Sequence, residues 1–118
     1  MPSRRDTILG YIRLPHVVPI LAVLAATAAF AIVAAGGWPG TGILLALLGA
    51  MLGGQLAVGA TNELVDADLD ARERPDKPIP AGLVSERGAW MMILAGLAIM
   101  ALCSLPFPFA AFALCALG

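Results

Sequence analysis

Three oxygen-bearing side chains recur at four-residue spacing in the middle of the chain: Asn62, Asp66 and Asp70. On a continuous helix such a series drifts by only about 80° in all, so it forms one stripe. Gln55, seven residues before Asn62, falls within about 20° of the same line. Glu63 and Asp68 fall off it. Two carboxylates one turn apart repel each other. At about 5–6 Å and an effective dielectric near 20 the repulsion is roughly 3 kcal/mol, so a cation should offset it. One amide and two carboxylates are hard ligands that suit Mg²⁺, which commonly takes one or two carboxylates and completes its shell with phosphate and water. Arg72, Arg74 and Lys77 follow at once and suit the same phosphates. The spacing therefore points to Mg²⁺-bridged binding of a phosphorylated ligand.

The elements that must position these groups are apolar. Residues 62–87 hold seven of the eight acidic residues and four of the seven basic ones. Leu14 to Thr61 carries no Asp, Glu, Lys or Arg, and neither does Gly88 to Gly118. Of the 118 residues 60% are hydrophobic and 13% charged, against roughly 25% charged in an ordinary soluble domain. A short soluble fold buries only about 60–70% of its surface, so lipid is the expected solvent for most of the chain. A net charge of −1 gives no sign of nucleic-acid binding.

The expected fold is an all-α transmembrane helical bundle, with three membrane helices plus the start of a fourth. The first runs from about 14 to 35, with Pro15 and Pro19 in its opening turns, where Pro19 could add a small kink. Its length suits about 30 Å of hydrocarbon. A turn rich in glycine (36–42) carries Trp38, a residue at home in the membrane interface. The second helix runs from about 43 to 61 and continues into the acidic segment. Gly49, Gly53 and Gly54 would allow close helix approach. The third covers about 89–105, with Ser85 as the expected N-cap. Residues 109–118 read as a partial fourth helix, too short to span a bilayer. Residues 1–13 read as a polar arm. Arg4, Arg5 and Arg13 there, and Arg72, Arg74, Lys77 and Arg87 after two crossings, place the N-terminus and the 62–88 loop in the cytoplasm by the positive-inside rule.

Between Glu73 and Gly82 three prolines stop the helix and stiffen the loop that carries Arg74 and Lys77. His16 and Tyr11 read as interfacial residues, and Cys103 and Cys115 as small apolar filler.

Asn62-x-x-x-Asp66-x-x-x-Asp70, followed by Arg74-Pro75, Lys77-Pro78-Ile79-Pro80 and Gly82, resembles the first aspartate-rich motif of the UbiA-type intramembrane prenyltransferases. Arg13 stands where that family has an arginine before its first helix. Glu63 stands where the family often has Asp. The resemblance covers essentially the whole chain, read as the N-terminal part of a single transmembrane prenyltransferase domain. It implies Mg²⁺-dependent transfer of an isoprenyl group from a prenyl diphosphate to a lipophilic acceptor. It implies Asn62, Asp66 and Asp70 as metal ligands, with Asp66 and Asp70 catalytic. Arg13, Asn62, Arg74 and Lys77 become substrate contacts. The family's second aspartate-rich motif has no counterpart in these 118 residues, so the chain alone is expected to be inactive and to need a C-terminal half. The Arg74–Gly82 wording leans toward members that act on archaeal-type lipids, chlorophylls or quinone precursors. The competing expectation is a non-catalytic small membrane protein, or a degenerate remnant, that binds a divalent cation or anionic lipid.

Overall fold

The computed structural model describes residues 3–107. Among them there are five helices and no strand: α1 (Arg4–Arg13), α2 (Val17–Ala35), α3 (Thr41–Val65), α4 (Ala67–Glu73) and α5 (Glu86–Cys103). The expected partial helix at 109–118 lies outside the described residues. Helices α2, α3 and α5 are each long and apolar enough to cross a membrane.

The polar N-terminal arm is helical from Arg4 to Arg13. A reciprocal capping box starts it: Ser3 Oγ accepts from the Asp6 N–H at 3.1 Å, and Asp6 Oδ2 accepts from the Ser3 N–H at 3.1 Å. Two otherwise orphaned donors are thereby satisfied. The Ser3 hydroxyl and backbone bonds hold the Asp6 carboxyl below its ordinary pKa.

The first long helix starts at Val17, not near Leu14, because Leu14 and Pro15 form a turn closed by the His16 N–H donating to Arg13 O at 3.2 Å. His16 lies in the left-handed region at φ 59°. Pro19 then sits in the first turn of α2, where its missing N–H breaks no helical hydrogen bond, and α2 runs unbroken to Ala35. Gly36, at φ 70°, ends it.

The tightest packing is between α3 and α5. A Cβ built on Gly96 would stand 2.5 Å from the Gly53 carbonyl oxygen, so the two backbones meet with no side chain between them. Small residues permit this where lipid offers no hydrophobic drive between helices. Nearer the charged end, Leu14, Ala57, Ala60, Val84, Ala89 and Ile93 form the buried core, with Tyr11 and Ile79 packed on it. That core draws residues from α1's end, α3, the proline loop and α5. It fixes these parts where the polar groups emerge.

Candidate functional site

The helix carrying the acidic series is interrupted at Asp66, which adopts φ −89° and ψ 0° between α3 and α4. Helical hydrogen bonding continues on both sides: the Asp66 N–H donates to Asn62 O at 3.0 Å and the Asp70 N–H to Asp66 O at 2.8 Å. Asn62 and Asp66 are exposed, while Asp70 is buried. The expected single stripe is thus divided into two exposed oxygen ligands and one enclosed carboxylate.

After Glu73 the chain folds into successive turns. Lys77 N–H donates to Arg74 O at 3.1 Å, Ala81 N–H to Lys77 O at 2.9 Å, and Leu83 N–H to Pro78 O at 2.9 Å. Ser85 caps α5 as expected, its Oγ accepting from the Gly88 N–H at 3.0 Å. Pro78 is buried, so the loop is pinned to the core at its middle. This fixes Arg74 and Lys77 relative to α3.

A cleft of about 320 Å³ opens at this end, lined by Arg13, His16, Glu63, Arg74, Asp76, Lys77 and Pro78. It brings together three predicted anion contacts from separate segments: Arg13 at the end of α1, and Arg74 and Lys77 in the loop. Arg13 Nη2 donates to the Asp76 carbonyl oxygen at 3.3 Å, which ties α1 to the loop. Asn62 and Asp66 do not line the cleft. Gln55 is half-buried further along α3 and is also apart from it.

The floor of the cleft carries charges that spacing alone did not single out. Glu63 is 3% exposed. Its Oε1 lies 2.7 Å from His16 Nε2 and 3.1 Å from Lys77 Nζ. Lys77 Nζ is also 3.2 Å from Asp70 Oδ2, an ion-pair contact not aligned as a full hydrogen bond. Burial of the ammonium pulls the Lys77 pKa down. Hydrogen bonds and Coulombic attraction from Glu63 and Asp70 outweigh this, and the net shift is upward. The ammonium therefore stays charged throughout the neutral range.

Sequence reasoning missed Glu63 and His16. One signal was present: Glu63 and Asp70 are seven residues apart, within about 20° on a helix. Both fall within about 40° of Gly59, the buried position of α3 that lies against Pro15. Nothing in the sequence marks His16, which owes its place to the turn after Arg13.

Among the described residues no group of three or more His, Cys, Asp or Glu side chains is placed to hold a metal ion. Any metal here would take one or two protein carboxylates and draw its other ligands from amide, phosphate and water.

Comparison with known proteins gives the arrangement its setting. Digeranylgeranylglyceryl phosphate synthase of Natronomonas pharaonis is 40% identical over 62 residues, covering 52% of this chain and 22% of that protein. The bacteriochlorophyll synthase 33 kDa chain of Cereibacter sphaeroides is 40% identical over 80 residues, 65% of this chain and 24% of the relative. Protoheme IX farnesyltransferase of Thermus thermophilus is 39% identical over 82 residues, 64% and 13% respectively. The chain thus matches about a quarter or less of the length of these relatives. No solved structure matches it. The model of the UbiA prenyltransferase family matches residues 22–118, a span that takes in every residue of the cleft except Arg13 and His16. With three apolar helices of membrane-spanning length and a family match over most of its residues, the chain is an integral membrane protein that belongs to the UbiA prenyltransferase family.

Proposed function

We propose that these residues form the first-motif part of a prenyl diphosphate site, at the cytoplasmic face of an enzyme that transfers an isoprenyl group to a lipophilic acceptor. The observation that supports this most is the convergence of Arg13, Arg74 and Lys77 on one cleft, in a chain of this family. The guanidinium groups of Arg13 and Arg74 suit bidentate contact with phosphate oxygens, and Lys77 supplies a compact charge beside them. Such groups stabilise negative charge as it develops on a departing diphosphate.

Asn62 and Asp66 fit Mg²⁺. Both are exposed at the α3–α4 break, and Mg²⁺ is commonly held by one or two carboxylates with phosphate and water. Asp70 is already faced by Lys77 and supports the site from behind. When bound, Mg²⁺ would act as a Lewis acid toward the diphosphate oxygens.

The basic residues of α1 and of the loop favour a cytoplasmic position for both. The three relatives are named for different products or acceptors at 39–40% identity, so resemblance does not select an acceptor. The 118 residues contain one acidic motif, and the reaction is best tested in native membranes. Asp66→Ala placed in the chromosomal gene should abolish the prenylated product while the protein remains in the membrane. Product at the wild-type level in that strain would overturn the reading.

A further inference from the structure

Glu63 is neither a proposed metal ligand nor a phosphate contact, yet it is among the most enclosed charged groups among the described residues, at 3% exposure. One oxygen, Oε1, is shared by two nitrogen groups, His16 Nε2 at 2.7 Å and Lys77 Nζ at 3.1 Å. The other, Oε2, is buried without a hydrogen-bond partner. The three residues come from the α1–α2 turn, the end of α3 and the proline loop. Their meeting is built into the backbone. A Cβ on Gly59, one turn before Glu63, would stand 2.7 Å from Pro15 Cα, so the turn lies directly on α3. His16 holds a left-handed φ of 59°, a strained region that persists only where the surroundings impose it. Of the three donors on the Lys77 ammonium, one makes the hydrogen bond to Glu63 and the Asp70 contact is an ion pair, so donors remain for a ligand.

We infer that Glu63, with His16, is a positioning residue of the cleft: its carboxylate fixes the Lys77 ammonium and ties the loop that carries Arg74 to the end of α3. The inference rests on the reading of the cleft as a diphosphate site, and its test separates the two. Wild type, Glu63→Gln and Glu63→Asp are reconstituted in nanodiscs of neutral phosphatidylcholine. Binding of geranylgeranyl S-thiolodiphosphate is measured with Mg²⁺. Glu63→Gln removes a negative charge from beside an anion site, so charge alone would tighten binding. A positioning role requires the opposite: binding at least fivefold weaker in Glu63→Gln and partly recovered in Glu63→Asp. Equal or tighter binding in Glu63→Gln overturns the inference.

Lys77 is the one lysine in the chain, so acylation read at that residue by mass spectrometry reports its restraint with no ligand present. The rate should rise at least tenfold in Glu63→Gln, and an unchanged rate overturns the inference. If wild type binds no thiolodiphosphate, the diphosphate reading fails and the acylation result alone decides the role of Glu63. If Glu63→Gln does not fold, wild-type Lys77 is compared with a free peptide of residues 74–82. A wild-type rate at least tenfold slower supports restraint, and equal rates overturn it.

Discussion

Lys77 Nζ stands 3.2 Å from Asp70 Oδ2, so the last carboxylate of the Asn62–Asp66–Asp70 series faces a cation supplied by the chain itself. The same ammonium is 3.1 Å from Glu63. Its loss would leave two buried carboxylates without it. Breaking a buried pair by removing one partner costs about 3–5 kcal/mol. Lys77→Met should therefore lower the thermal midpoint of the detergent-solubilised protein sharply. Arg74→Ala, at an exposed position, should change stability by no more than about 0.5 kcal/mol. Equal effects of the two would show that the Lys77 contacts are solvated.

The pH dependence of this pairing has a definite sign. The folded-state pKa of Lys77 is raised above the ordinary 10.5. A raised pKa means that the folded state binds the proton more tightly. The contribution to stability is therefore full below pH 10.5 and is lost as pH climbs through the folded value. Wild type should show no change from this group between pH 7 and pH 9, then destabilisation above pH 10.5. Lys77→Met should lack the alkaline step, as measured by thermal unfolding across the alkaline range.

The α3–α5 contact makes a prediction independent of the site. A Cβ on Gly96 would lie 2.5 Å from Gly53 O and 3.0 Å from Ala57 N, both backbone atoms that cannot rotate away. Gly96→Ala should destabilise by about 1–3 kcal/mol, the usual range for overpacking. Gly42→Ala, in the first turn of α3 with nothing near its Cβ position, should be neutral or stabilising by up to about 1 kcal/mol, since alanine is the better helix former. Unfolding midpoints of the two variants compare them directly.

Asp66 separates function from stability. Its side chain caps neither helix and is exposed. Asp66→Ala should leave the thermal midpoint within a few degrees of wild type and remove the Mg²⁺ dependence of thiolodiphosphate binding. Asp68→Ala, also exposed, should retain that dependence. Calorimetric titration at several Mg²⁺ concentrations gives both answers.

The membrane character of the fold was legible because it is a matter of length and hydropathy: the charge-free runs on either side of 62–87 contain most of the long helices. Small residues announced the close α3–α5 approach at Gly53, although the partner, Gly96, needed the structure. The basic half of the site was also legible, since Arg74 and Lys77 sit in a loop whose prolines fix them. The acidic half was less so. Asn62, Asp66 and Asp70 share a stripe but not an environment: Asp70, about 20° from Glu63 in helical phase, lies on the packed side, while Asn62 and Asp66 are exposed. His16 was illegible because its role depends on a left-handed turn that places it against a residue far along the chain. Helix α1 was read as an arm, although Ser3 and Asp6 spell a capping box. The helix is only ten residues long and carries three arginines, which masked it.

The most direct test of the central claim is calorimetric binding of geranylgeranyl S-thiolodiphosphate to the chain in nanodiscs, with Mg²⁺ as a second variable. Saturable binding that requires Mg²⁺ and falls at least tenfold in Arg13→Ala and in Arg74→Ala is the expected result. Binding indifferent to Mg²⁺ and to both arginines, or no binding at all, would contradict a diphosphate site in the cleft between α1, α3 and the proline loop.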